Sequence, residues 1–267
     1  MMKIKQLIIG CKLVLFIAFA FPAYAETVDE NEEAGWYFNV IVGAMREPTY
    51  LGSDKYITEA GGDFQATYNT GRGIEYFLSL GEFGASVELG NDWELTTFLE
   101  YEEGRDNSED PILAHFPKVR DTLEGQVILA KHIKNWTIAG ILQPDILDRG
   151  KGFVYFLALE HDYKVNQRLS LSTSLDISFG NAEHMNTEVG VSSSVAALSG
   201  LNAYRPGSGY KSTTLDVELD YAINKNWSIV SGVEVEFYGS NIADSPLVKD
   251  EGSDTNYTYG LGISYRF

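Results

Sequence analysis

The chain has 267 residues, of which 20 are basic and 38 acidic, for a formal net charge of −18. That balance excludes nucleic acid as a partner, because phosphates demand Lys and Arg. A single cysteine excludes a disulfide framework, and past residue 25 no apolar run approaches the ~20 residues of a spanning helix.

Lys3 and Lys5 make a positive start, Leu13 to Phe21 is apolar, and Ala23-Tyr24-Ala25 supplies a small-x-small cleavage site. Residues 1–25 therefore read as a signal peptide, with the mature chain starting at Glu26. Ile8-Ile9-Gly10-Cys11 resembles a lipoprotein box, but there the apolar stretch would precede the cysteine, and here most of it follows. Removal of residues 1–25, and with them Lys3, Lys5 and Lys12, leaves 242 residues with a net charge of −21. The mature chain then has no thiol. Residues 26–34 form an acidic periplasmic segment carrying Glu26, Asp29, Glu30, Glu32 and Glu33.

From Gly35 to Phe267 the pattern has a period of two. Leu169, Leu171, Thr173, Leu175, Ile177 and Phe179 oppose Ser170, Ser172, Ser174, Asp176 and Ser178. Thr213 to Ile223 and Trp227 to Phe237 repeat this alternation. Runs of eleven such residues are long enough to cross a membrane at a tilt. Short turns are expected at Gly71-Arg72, Gly90-Asn91, Lys134-Asn135, Asn166-Gln167 and Asn224-Lys225-Asn226. Gly61-Gly62 also reads as a turn. Long polar connections fall near 45–62, 103–122, 143–151, 180–211 and 239–256, with a short one at Gly81 to Phe83. Short and long alternate, so the expected fold is a transmembrane antiparallel β-barrel of about twelve strands, residues 35–267. Its turns would be periplasmic and its long loops outside.

Trp36, Trp93, Trp136 and Trp227 each begin an upward strand on its apolar face, which predicts an interfacial girdle with Tyr163, Tyr221 and Tyr265. A soluble barrel or sandwich would not place all four at one end. Tyr257, Tyr259, Leu261, Ile263, Tyr265 and Phe267 alternate with polar or small residues. That ending, above all Tyr265 and Phe267, resembles the signal read by the barrel-assembly machinery. Outer-membrane lipid and lipopolysaccharide are the expected surroundings.

Four segments then carry a family resemblance: Pro48-Thr49-Tyr50-Leu51-Gly52-Ser53-Asp54; Ser199-Gly200-Leu201-Asn202-Ala203-Tyr204-Arg205-Pro206-Gly207-Ser208-Gly209; Ala243-Asp244-Ser245-Pro246-Leu247-Val248; and the ending Gly260 to Phe267. In this order they resemble the family of the MltA-interacting protein and OmpV. The segment before Ser199 departs from the family pattern, being Thr187-Glu188-Val189-Gly190-Val191, and the stretch 103–122 is unusually acidic. The resemblance implies an outer-membrane barrel without catalysis, and a scaffold that brings a murein hydrolase, a lytic transglycosylase, together with a murein synthase. Other members are similar to adhesins, osmotically regulated barrels or surface antigens.

The residues themselves offer no active site. His115, His132, His161 and His184 have no metal-ligand spacing, and His161 and Asp162 point to opposite faces. No nucleophile elbow or phosphate loop is present, and no cofactor or metal is expected. A rim of His, Ser and acidic residues alone is thin support for a hydrolase. Asp176, Asp216, Glu218, Asp220, Glu234 and Glu236 would share a lumen wall. Either that wall favours cations in a narrow pore, or basic residues such as Arg266, next to Glu234 and Glu236, match it in a largely filled interior. Glu102, Glu103, Asp106, Glu109, Asp110, Asp250, Glu251 and Asp254 in the outer loops read as solvated charge rather than a calcium site. The motif residues supply backbone angles and turns or touch a partner. The leading reading is a scaffold docking murein enzymes through its short turns and residues 26–34; the alternatives are the cation-preferring pore and a surface adhesin or antigen.

Overall fold

The computed structural model describes residues 34–267, apart from 106 and 109. The expected signal peptide, residues 26–33 of the acidic segment, Asp106 and Glu109 lie outside the described residues. The strands are β1 (Gly35–Pro48), β2 (Tyr56–Asn69), β3 (Ile74–Leu78), β4 (Glu82–Gly90), β5 (Trp93–Glu102), β6 (Thr122–Ile133), β7 (Trp136–Pro144), β8 (Phe153–Lys164), β9 (Leu169–Gly180), β10 (Gly209–Ala222), β11 (Trp227–Tyr238) and β12 (Thr255–Arg266). Each pairs antiparallel with its sequence neighbours, and β12 closes on β1 with Val42 opposite Ile263. This is the twelve-stranded closed barrel expected from the sequence, although five-residue β3 pairs only Ala66 to Asn69 of β2 and leaves the rest of that β2 edge without a ladder partner.

Alternation sets the two surfaces. On β10, Leu215, Val217, Leu219 and Tyr221 are exposed to the outside, while Asp216, Glu218 and Asp220 turn inward. An outer face that water would not tolerate is what lipid requires. All four tryptophans lie exposed on that face at the short-turn end. There Trp36 meets Tyr68, Trp136 meets His161 and Trp227 meets Tyr265, at ring separations of 5.0, 4.3 and 4.7 Å. Phe267 stacks on Phe38 at 5.3 Å, seating the last residue against the first strand.

One turn assignment is overturned. Gly61 and Gly62 lie in the middle of β2, opposite Gly43 and Val42 of β1, so the connection expected at 45–62 shrinks to residues 49–55. The glycines serve close packing instead. A Cβ on Gly62 would stand 2.6 Å from the Ile41 carbonyl oxygen, and one on Gly43 would stand 2.6 Å from that of Leu261. Glycine in a strand commonly marks such a close backbone approach. On the lumen side, Gly61, Gly43 and Gly262 line up across β2, β1 and β12.

The long connections are folded rather than irregular. Residues 180–209 carry α1 (Ala182–Val189) and α2 (Ser193–Ser199), and residues 239–254 carry α3 (Ser240–Ala243) and α4 (Pro246–Lys249). Asn181 and Ser192 accept from the backbone N–H groups of His184 and Val195 and so cap α1 and α2. Gly200 ends α2 in the left-handed conformation, at φ 82°. A 3₁₀ turn, Pro111–His115, is capped in the same way by Asp110.

Candidate functional site

The outer loops meet over the barrel mouth in a small hydrophobic core of their own. Tyr50, Leu113, Phe116, Val191, Val195, Leu201 and Leu247 form one cluster, and Met185, Val189, Ile242 and Val248 a second. These residues come from the connections after β1, β5, β9 and β11. The three internal motif segments are thereby brought together. The Tyr50 hydroxyl donates to the carbonyls of Glu251 (3.3 Å) and Leu247 (3.5 Å). Tyr204 reaches the Asn241 carbonyl (3.2 Å), and the Ser245 hydroxyl donates to that of Val189 (2.6 Å). Gly52, at φ 84°, presses against Val248: a Cβ there would stand 2.6 Å from its Cγ2. The Gly52 N–H donates to the Asn256 side chain, which donates back to the Ser53 carbonyl, both at 2.8 Å. The Ser199 hydroxyl donates to the Val195 carbonyl and accepts from the Leu201 N–H, while Pro206 is buried beneath. Asp54, Gly207 and Asp244 stay exposed, and Pro48 and Gly209 end β1 and begin β10.

Charged groups brace this cap from beneath. Buried Lys151 donates to the Glu102 carboxylate (3.1 Å) and the Glu103 carbonyl (2.8 Å). Arg105 donates to the Glu188 carbonyl at 2.7 Å, and burial holds its guanidinium below the usual range. Burial also holds His184 down against the pull of Glu188, with Nδ1 3.1 Å from the Lys151 carbonyl oxygen. Burial works to raise Glu188, but His184, Arg105, Lys151 and Lys211 outweigh it and hold its carboxyl below the usual range. Among the acidic loop residues, Asp110 pairs with Lys55 at 2.9 Å, while Asp250, Glu251 and Asp254 are exposed. Among the described residues, no three of His, Cys, Asp and Glu converge closely enough to hold a metal.

Beneath the cap the lumen has two unlike walls. One is acidic and contains the sequence-derived set, Asp176, Asp216, Glu218, Asp220, Glu234 and Glu236, all turned inward, with Glu160 and Asp162 on β8 beside them. Arg266 bonds Asp220 at 2.9 Å rather than Glu234 or Glu236. Glu236 is taken instead by Lys211, at 2.8 Å, a residue at the end of the polar connection expected over 180–211. A β-bulge between Tyr210 and Ser212 interrupts the alternation there, and Lys211 points inward. Asp176 is only 7% exposed; one of its oxygens accepts from Ser174 (2.8 Å) and the other has no hydrogen-bond partner among the described residues. The second wall is apolar: Phe98, Ile128, Ala130, Ala139, Ile141 and Ala158, with Phe77 and Phe156 packed against them. It begins directly beside Asp176, whose register partner on β8 is Ala158, followed by Ala139 on β7 and Ala130 on β6.

The sequence profile of the family described as MltA-interacting protein MipA matches residues 40–267. The chain belongs to this family. Among solved structures, the MipA-family barrel is similar to an outer membrane channel of Pseudomonas putida F1. That match has a TM-score of 0.52 and 13% identity over 89% of this chain and 97% of that one. The translocator domain of the autotransporter NalP from Neisseria meningitidis matches with 9% identity and a TM-score of 0.47, covering 96% of this chain and 97% of that one. The NanC porin matches with 12% identity and a TM-score of 0.43, over 85% and 98%. A search of curated proteins finds no match. At such identities the likeness to the first structure speaks for the fold, that of outer-membrane barrels, and for nothing finer.

Proposed function

We propose that this MipA-family barrel is a non-enzymatic outer-membrane channel, closed from outside by its own loops and preferring cations. One observation carries the reading. Asp176, Asp216, Glu218 and Glu234 line one lumen wall without an ion pair among the described residues, while Lys211 and Arg266 are engaged by Glu236 and Asp220. An excess of inward carboxylates raises the local concentration of cations in a narrow passage. The folded cap explains how such a passage stays shut at rest. Planar-bilayer recording tests it. Rare small steps with a cation-selective reversal potential are expected, more frequent when the cap is loosened. A trace without steps in the loosened protein, or anion preference, refutes it.

A second reading, favoured by the family description, is a scaffold for murein-remodelling enzymes. Its expected contact segment, residues 26–34, would reach a basic enzyme surface by charge. Co-isolation of the tagged protein from gently solubilised envelopes should recover a lytic transglycosylase with a murein synthase, and less of both after residues 26–34 are removed. Preparations free of murein enzymes count against it. The adhesin reading predicts instead that cap deletions abolish binding to host or matrix.

A further inference from the structure

The channel reading leaves the cargo open, and the inference drawn here rests on that reading and names a class. We propose that the lumen binds an organic cation with an apolar body, an alkyl- or arylalkyl-ammonium, at the seam between the two walls, with Asp176 as the anchoring carboxylate.

One carboxylate oxygen of Asp176 has no partner among the described residues. The residue is more than nine-tenths buried, and its flanking residues Leu175 and Ile177 face outward, which aims its carboxylate into the lumen. A buried acceptor without a donor marks a position for one, and an ammonium supplies up to three. An apolar surface lies beside Asp176. Along the same register row come Ala158, Ala139 and Ala130, and the next row carries Phe156, Ile141 and Ile128. Successive inward positions on a strand are about 6.8 Å apart. An ammonium at Asp176 therefore lays a chain or ring of a few carbons directly on this wall.

A small inorganic cation does not account for both features. The apolar wall offers it no oxygen, and the carboxylates, spread over several rungs, do not converge as a metal site would. Room is provided on the flank where Gly61, Gly43 and Gly262 contribute no side chain to the lumen. Twelve strands stand between the eight of a barrel filled by its own side chains and the wider porins, a width suited to a small molecule.

The probe is 4-phenylbutylammonium, titrated calorimetrically into the full-length folded protein in detergent, with empty micelles subtracted. The controls are 4-phenylbutanol, which keeps the ring without the charge, and propylammonium, which keeps the charge without the ring. Saturable binding of the probe, at least tenfold tighter than either control, is expected. Asp176→Asn should weaken it tenfold or more, whereas Asp250→Asn in the outer loop should not. Folding of each variant is checked by its heat-modifiable migration, and the three-ligand comparison on the unaltered protein needs no variant. Equal affinity for amine and alcohol, or an unchanged affinity in folded Asp176→Asn, overturns the proposal. Cation-selective current without saturable binding overturns it and leaves the channel standing. Saturable binding without current in any cap-loosened variant supports the site and overturns the channel.

Discussion

Leu247→Ala isolates the cap from the barrel that carries it. Leu247 is fully buried among Tyr50, Leu113, Phe116, Val191, Val195 and Leu201, and none of these belongs to a lumen wall. The substitution removes three carbons, worth about 2.4 kcal/mol at ~0.8 kcal/mol per buried methylene. The remaining cavity brings the loss to about 3–5 kcal/mol. Because the strand ladders are untouched, that loss falls on the opening equilibrium of the cap alone. At ~1.4 kcal/mol per factor of ten, cap opening rises by at least about 150-fold. Hydrogen exchange read by mass spectrometry on the protein in nanodiscs measures this. Peptides spanning α1, α2 and α4 should exchange faster by roughly that factor, while those of β6 to β9 should not change. If cap peptides accelerate less than tenfold, or the strands accelerate with them, the cap is not the separable unit described here.

Gly52→Ala should also loosen the cap, because φ of 84° disfavours a side chain and the new Cβ would meet Val248. A loss of ~1–3 kcal/mol is expected, read as faster protease nicking of residues 239–254 in the folded protein. At the β1–β12 seam, Gly43→Val would thrust a branched side chain at the Leu261 carbonyl, 2.6 Å from the Cβ position. Barrel closure should slow or fail, seen as loss of the heat-modifiable folded band. Asp145 gathers the N–H groups of Leu147, Arg149 and Lys151 and the Thr122 hydroxyl. Burial opposes its ionisation, but those donors prevail and hold its carboxyl below the ordinary range. A depressed carboxyl stabilises above the unfolded value of ~3.9 and ceases to do so as pH falls through its folded value. The 145–152 loop should therefore become protease-sensitive only in acid below about pH 4, and Asp145→Ala should make it sensitive at neutral pH too.

The barrel was legible because its signal is local. Lipid outside and polar groups inside impose alternation on every strand, so the strand count and the tryptophan end can be read from one stretch at a time. The cap was not, because its order comes from contacts such as Tyr50 with Leu247 and Ser245 with Val189, far apart in sequence. Even so, Asn181 and Ser192 before the two helices, and Gly200 after the second, are cap residues that the polar stretch 180–211 already displayed. Gly61-Gly62 misled because a glycine pair signals a turn as readily as a tight strand approach. Lys211 escaped because the bulge beside it breaks the parity from which inward and outward are inferred.

The clasp between Gly52, Ser53 and Asn256 has a consequence in time. Its hydrogen bonds join residues more than 200 positions apart, one group just after the first strand and the other at the start of the last. Neither half can find the other until all twelve strands are laid down and the seam is shut. Contacts of such long separation are among the last a chain makes. The latch therefore works as a completion mark, formed on closed cylinders and missing from every partial sheet. An antibody that sees the joined loops would count finished molecules at the surface and ignore those still being built.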